Sequence, residues 1–175
     1  MRGYRIGSGF DVHRLVSGRP LMLGGIEVPF SRGLEGHSDG DCLVHAVCDA
    51  LLGAASAGDM GRHFPSSDPK WKGAPGRIFL EETARMLEEM GFVVENIDAT
   101  IVAEAPPLAQ LLDSMRGAVA SALRLDVGAV SIKAKSADEL GAIGRGEGIA
   151  ATAVALVRRS GETREASSPM KGTFG

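Results

Sequence analysis

Two periodicities meet in the first third of the chain, and any fold must satisfy both. Residues 4–12 are rich in β-branched and aromatic members and read as a strand, where side chains two apart share a face. Asp11 and His13 therefore point the same way. Residues 41–54 instead repeat apolar side chains at helical spacing (Leu43, Val47, Ala50, Leu51, Ala54), and Asp41, His45 and Asp49 fall on one line along that helix. A helix laid on the strand brings His45 to the first pair. One carboxylate and two imidazoles suit zinc, and three protein ligands with an open fourth position describe a working metal site better than a structural one. Each part alone is a weak signal, because a histidine on a helix is more often packed or solvated than ligating. The joint pattern is stronger. Ser38 or Asp39 is placed to cap the helix with Asp41 as an early acid, and a helix start so rich in polar donors is also an anion site.

The rest of the composition narrows the partners. A net charge of -3 argues against general nucleic-acid binding, which needs a basic face, and 5% aromatic residues offer no stacking platform for single strands. A phosphorylated small molecule remains compatible, since a metal ion and a few placed cations offset that charge locally. The 24 glycines cluster beside polar residues, so several loops must approach something closely. With 44% hydrophobic residues, 1–160 reads as one domain with a continuous core, and 161–175, polar and without periodicity, as a disordered tail. No stretch reaches membrane-spanning length and no signal peptide precedes Tyr4, so a cytoplasmic protein without membrane contact is expected. Cys42 and Cys48 lie six apart on one helix and cannot pair; both read as small buried residues.

Further along, residues 21–30 give two short strands about Gly24-Gly25, a hairpin signal with no chemical task. Residues 58–69 form a turn-rich loop, read as a lid or a substrate-contacting loop. An amphipathic helix is expected over 75–91, with Ile78, Leu80, Ala84, Leu87 and Met90 inward. A strand follows over 92–104, stopped by Ala105-Pro106-Pro107, which opens a helix over 108–125. Residues 130–136 make another strand that sends Lys133 and Lys135 to one side. In the glycine-rich passage 138–148, Arg145 has little local company, which leaves its guanidinium for an oxyanion of a phosphate or carboxylate. The last strand, 149–158, is apolar almost throughout, as burial on both faces requires. These elements describe an α+β or α/β sandwich, one mixed β-sheet with helices packed on one face. The other face then calls for a subunit partner.

Beyond these readings, Gly9-Phe10-Asp11-Val12-His13-Arg14, His37-Ser38-Asp39-Gly40-Asp41 with His45-Ala46 and Asp49-Ala50-Leu51-Leu52-Gly53-Ala54, Gly58-Asp59-Met60-Gly61, Phe64-Pro65, Met115-Arg116 and Gly144-Arg145-Gly146-Glu147-Gly148-Ile149 resemble the 2-C-methyl-D-erythritol 2,4-cyclodiphosphate synthase family, without a large gap over residues 4–158. The resemblance implies a homotrimer whose sheets pack together, with active sites shared at the subunit junctions. It implies a phosphorus–oxygen lyase of non-mevalonate isoprenoid precursor synthesis. In that reaction the 2-phosphate of a cytidine-diphosphate substrate attacks the β-phosphorus, closing a ring and releasing CMP. One zinc per subunit on Asp11, His13 and His45 is implied, and a second divalent ion, magnesium or manganese, at Asp138.

By the same likeness His37 and Ser136 are catalytic. Substrate contacts fall on Asp11, Val12, His13, His37 and Ser38, on Asp59, Met60 and Gly61, and on Phe64, Pro65, Ser66, Ser67 and Asp68. From the neighbouring subunit come Ala103, Glu104, Ala105, Pro106, Pro107, Leu108, Ala109, Lys135, Ser136, Ala137 and Asp138, around the cytidine and its phosphates. Ala142 and Arg145 are counted with them, toward the trimer's central cavity. Four positions depart from the family pattern. Asp138 replaces a Glu and loses reach, Ser136 replaces a Thr and keeps the hydroxyl, Pro107 replaces a Lys, and Ala142 replaces an aromatic. The missing cation at Pro107 is expected to alter nucleotide affinity. Two other activities fit the metal pattern: a zinc phosphohydrolase acting with water on a similar diphosphate, and a non-catalytic trimer whose metal is structural.

Overall fold

The computed structural model describes residues 3–161. The expected tail therefore lies, past Gly161, outside the described residues. Among the described residues seven strands occupy Tyr4–Ser17 (β1), Leu21–Leu23 (β2), Ile26–Val28 (β3), Arg32–Leu34 (β4), Phe92–Val102 (β5), Val130–Lys135 (β6) and Gly148–Arg159 (β7). Helices occupy Cys42–Ala55 (α1), Met60–His63 (α2), Gly76–Glu89 (α3), Leu112–Leu123 (α4) and Gly141–Gly144 (α5).

Five strands form one mixed sheet in the order β4-β1-β7-β5-β6, with β5 and β6 parallel and the other neighbours antiparallel; β2 and β3 make a separate hairpin. The architecture is the expected mixed sheet with helices. β1 runs past its expected end, because pairing continues to Arg14 opposite Gly148 and then to Ser17 opposite Arg32. Its two faces separate cleanly by parity. Gly7, Gly9 and Leu15 are buried, whereas Tyr4, Ile6, Phe10 and Val12 are exposed.

The buried face of β1 and β7 is a carpet of small residues: Gly7 lies opposite Ala155, Gly9 opposite Ala153, and Asp11 opposite Ala151. α1 lies directly on it. A Cβ at Gly7 or Gly9 would overlap the carbonyl oxygens of Ala50 and Ala46, so glycine here sets the height of the helix above the strand. The apolar side of α1 then buries Leu43, Val44, Val47, Leu51 and Leu52 completely, each contributing roughly 2 kcal/mol of transfer free energy.

Other expectations shift in register. In α3 the buried positions are Phe79, Leu80, Thr83 and Leu87, while Ile78 and Met90 are 39% and 42% exposed. Phe79 turns toward the rings of Phe64 and Trp71 and so rotates the stripe by one position. The helix ends at Glu89, which puts Met90 at its cap rather than on its inner face. A β-bulge between Val94 and Asn96 restores Ile97, Ala99 and Ile101 to the core side of β5. α4 begins four residues later than expected, since residues 108–111 close a turn from Leu111 N–H to the Leu108 carbonyl (2.9 Å). β7 is buried on both faces only at its start, over Gly148 to Ala151; beyond it Thr152 and Val154 are exposed on the face away from the helices. With Tyr4, Ile6, Phe10 and Val12 they make an open sheet face among the described residues.

Candidate metal centre and substrate cleft

Asp11 and His13 project from the core side of β1, and α1 presents His45 to them at the height that Gly9 permits. Asp11 Oδ2 lies 2.9 Å from His13 Nε2 and 2.8 Å from His45 Nδ1, and the two ring nitrogens are 3.3 Å apart. Among the described residues this is the group of three or more side chains whose donor atoms converge closely enough for a metal ion. The outer nitrogens fix how the rings are used. His13 Nδ1–H donates to the Glu35 carbonyl, which can only accept, so the Nε2 lone pair of the neutral ring faces Asp11. Ser38 Oγ sits 3.2 Å from His45 Nε2 and can accept from an N–H there, in the tautomer that turns the Nδ1 lone pair inward.

Two lone pairs and a carboxylate thus aim at one point, and their spacing is close to the roughly 3.3 Å edge of a tetrahedron with ~2.0 Å metal–ligand bonds. The donor set fits zinc. Without a cation, burial pushes the Asp11 carboxyl up, but hydrogen bonds from the two imidazoles outweigh it and hold the carboxyl well below its usual range. The same hydrogen bond raises His13 above the ordinary histidine value, against the opposing effect of burial.

The triad opens on a cavity of about 280 Å³ lined also by His37, Ser38, Asp49, Met60, Gly61, Phe64, Ser66, Trp71 and Phe79. Phe64, Trp71 and Phe79 form its apolar wall, with ring centroids 5.0 to 5.5 Å apart, and the Phe79 ring stands edge-on to His45. A larger cavity of about 650 Å³, between α3, the end of α4 and the start of β5, contains no metal-ligand cluster among the described residues, so chemistry rather than size marks the site.

Several residues take positions other than those expected. Asp41, not Ser38 or Asp39, is the cap of α1: it is fully buried, accepts from Val44 N–H (3.0 Å), and also accepts from Gly24 N–H (2.9 Å) and Gly25 N–H (2.7 Å). The hairpin turn therefore has a structural task, and the start of α1 gives the Val44 N–H to Asp41 instead of to an anion. Burial raises the Asp41 pKa, and the hydrogen bonds from Gly25 and Val44 oppose the rise. Asp39 instead accepts from Gly76 N–H (2.6 Å) at the start of α3. Arg145 is not without company, since it pairs with Glu147 at 2.6 Å. The loop after α1 is built around α2, capped by Asp59, and a 3-10 turn over Pro69–Trp71, capped by Asp68. Val12 points to the open sheet face, and Asp59, Pro65, Ser67 and Asp68 are not part of the cavity lining. Cys42 and Cys48 are buried and free, and burial pushes the Cys48 thiol up to about 12.

The residues tied to the nucleotide do not reach this cavity within one chain. Pro106, Pro107 and Ala109 line a different one, of about 430 Å³, with Val28 and Pro29. Ala103 and Leu108 are buried, Ser136 Oγ donates to Asp138 at 3.0 Å, and Glu104 accepts from the N–H groups of Ala137 (3.2 Å) and Glu139 (3.4 Å). Lys135, Ala142 and Arg145 are exposed. Among the described residues Asp138 belongs to no second cluster of metal ligands. Asp49, Trp71 and Phe79 were not anticipated as cleft residues. For Asp49 the signal was its place one turn beyond His45; Trp71 and Phe79 carry none, because their direction depends on how α3 meets the loop.

Known proteins resemble this chain in sequence and in fold. The sequence model of the YgbB family matches residues 4–158. A protein of Laribacter hongkongensis (strain HLHK9) named 2-C-methyl-D-erythritol 2,4-cyclodiphosphate synthase is 54% identical over 154 residues, 88% of this chain and 95% of the relative. Among solved structures, the bifunctional IspDF from Campylobacter jejuni superposes with a TM-score of 0.87 at 37% identity, covering 91% of this chain and 43% of that longer one. A CDP-bound 2C-methyl-D-erythritol-2,4-cyclodiphosphate synthase superposes with a TM-score of 0.81 at 35% identity, covering 87% of this chain and 99% of the other.

Proposed function

Because the chain belongs to the YgbB family, we propose that it converts 4-diphosphocytidyl-2-C-methyl-D-erythritol 2-phosphate to 2-C-methyl-D-erythritol 2,4-cyclodiphosphate and CMP, as a cytoplasmic phosphorus–oxygen lyase of non-mevalonate isoprenoid precursor synthesis. The observation that carries the reading is the Asp11, His13 and His45 triad opening directly on the cleft that His37 and Ser38 line. Bound there, zinc would act as a Lewis acid and template for the diphosphate. An oxygen of the 2-phosphate attacks the β-phosphorus, a new P–O bond closes the ring, and the bond to CMP breaks, its electron pair leaving with the nucleotide.

No protein nucleophile is needed, so positioning and charge neutralisation carry the catalysis. His37, exposed at the mouth, is placed to offset charge on the transferring group. Met60, Gly61, Phe64 and Ser66 hold the methylerythritol part against the aromatic wall, which also excludes water from the β-phosphorus. Ser136 and Lys135 of a neighbouring subunit would grip the cytidine phosphates, and Asp138 is the residue that would hold a second divalent ion, which would supply further charge neutralisation there. The CDP held by the solved relative supports a cytidine-derived substrate.

A homotrimer accounts for two features at once: the open apolar sheet face, with Ile6 and Phe10 72% and 64% exposed, and the separation of the two residue sets in a single chain. Phosphorus NMR of an incubation with the substrate tests the reaction. A cyclic diphosphate and CMP, without orthophosphate and with loss of turnover in chelator, is the expected result. Solvent oxygen in the product would replace this reading with hydrolysis.

A further inference from the structure

The arm of residues 35–38 does more than carry His37. The Glu35 carbonyl accepts from His13 Nδ1–H, and Ser38 Oγ meets His45 Nε2 at 3.2 Å, so the arm orients both metal-binding imidazoles. Such partners decide tautomer and ring angle. What holds the arm is then a question of its own backbone, and its four successive carbonyls can be accounted for one by one. Glu35 is held by His13, and His37 accepts from Gly73 N–H at 2.8 Å. The other two, on either side of His37, accept from a single side chain: Arg19 NH1 donates to Gly36 at 2.7 Å and Arg19 NH2 donates to Ser38 at 2.6 Å.

Arg19 is itself fixed from behind. It sits half-buried in the turn between β1 and β2, and a Cβ at Gly33 would overlap the backbone oxygens of Arg19 and Pro20, so β4 presses that turn into place. The guanidinium is planar and forked, so two nitrogens can reach two carbonyls at once, which an ammonium cannot reproduce. By contrast, the His37 side chain makes no hydrogen bond or ion pair among the described residues, so the placement of its backbone sets where the ring starts.

We infer that Arg19 is a positioning residue for the reaction proposed above: it clamps the carbonyls flanking His37, setting the height of that ring over the cleft and, through Glu35 and Ser38, the aim of His13 and His45. It touches no reacting atom. Arg19→Met keeps the alkyl stem and removes the fork, and Arg19→Lys keeps a charge but only one point of attachment. With zinc saturating, the structure predicts a roughly tenfold lower kcat for Arg19→Met with KM within about twofold, and roughly tenfold weaker zinc binding, the range seen when partners of metal ligands are removed. A lysine at 19 recovers at most part of each.

The deciding measurement is a double-variant cycle with His37→Ala. If Arg19 acts on turnover through His37, Arg19→Met costs nothing further once that ring is absent. A wild-type kcat in zinc-saturated Arg19→Met, or losses that simply add in the double variant, overturns the inference. Should the wild-type protein release no CMP at all, the proposed reaction falls, and zinc affinity alone then decides the clamp. A tenfold weakening in Arg19→Met sustains it, and an unchanged affinity removes it.

Discussion

Around Asp11 the two imidazoles and the carboxylate are held by one another and by groups from other elements of the chain, whereas around Asp138 the side chains meet close neighbours in sequence or solvent, and the long-range brace is Glu104 accepting from the Ala137 and Glu139 N–H groups. The first region is half-buried and cross-braced: β1, α1, the arm after β4 and the β1–β2 turn all contribute, and each ring nitrogen is spoken for. In the second, Ser136 bonds Asp138, Arg145 bonds Glu147, and Asp138 and Glu139 both hold left-handed backbone conformations on an exposed loop. Preorganisation costs conformational entropy, and one chain has met that cost at only one end. The difference teaches that one chain can hold three ligand side chains in place while another polar region is left loosely braced, which is what the proposed sharing of the site between subunits would require.

The sharpest way to break the comparison is to remove a ligand from the finished end. His45→Ala is expected to lose zinc and to lower turnover on the order of 10³-fold or more, with the far-UV circular dichroism unchanged. Metal analysis of the purified variant beside a CMP-release assay reads both. Wild-type turnover would reject the triad.

A second test asks whether the two ends belong to different subunits. His45→Ala and Ser136→Ala are each defective, but a one-to-one mixed oligomer places an intact metal half against an intact nucleotide half in about a quarter of its junctions, half times half for random assembly. Recovery near that fraction after denaturation and joint refolding supports a shared site; no recovery says that each chain carries its own.

Asp41 separates a structural acid from a chemical one. Its carboxylate satisfies three buried or half-buried N–H groups, so Asp41→Ala removes a helix cap and strands the Gly24-Gly25 turn, at about 3 kcal/mol in urea unfolding. Zinc-saturated kcat should change far less than in His45→Ala. A large catalytic loss with unchanged stability would give Asp41 a chemical role.

These residues also mark what could be read without the fold. Asp11, His13 and His45 were legible because periods of two and of four convert spacing into direction, and the glycines at 7 and 9 admit the helix. Asp41 lay on the same helical line and was misplaced, since its partners are backbone N–H groups of a turn sixteen and seventeen residues away, which side-chain identity does not encode. The Arg19 clamp was invisible for the same reason. Phe79 was missed because a one-position rotation of α3 depends on what its stripe packs against. The nucleotide residues came from likeness alone, as nothing in their spacing implies a partner chain.

The smallest effect concerns protons at the finished end. In chelator-stripped protein, His13 has a folded-state pKa raised by its hydrogen bond to Asp11, so the stabilisation it contributes is fully present below the unfolded value of 6.5 and is lost as pH rises through the folded value. Asp11 has the opposite sign: its depressed folded pKa gives a contribution present above 3.8 and lost as pH falls through the folded value. The stripped protein should therefore weaken on the alkaline side, and His13→Gln should flatten that slope. Zinc reverses the alkaline side, because metal and proton compete for the same Nε2 lone pair and binding strengthens as the ring deprotonates. Urea midpoints of stripped and zinc-loaded protein, followed from about pH 6 to about pH 9, should diverge with rising pH. Parallel curves would mean that the proton and the metal do not share that nitrogen, and the cross-braced end would then be a hydrogen-bond network rather than a metal centre.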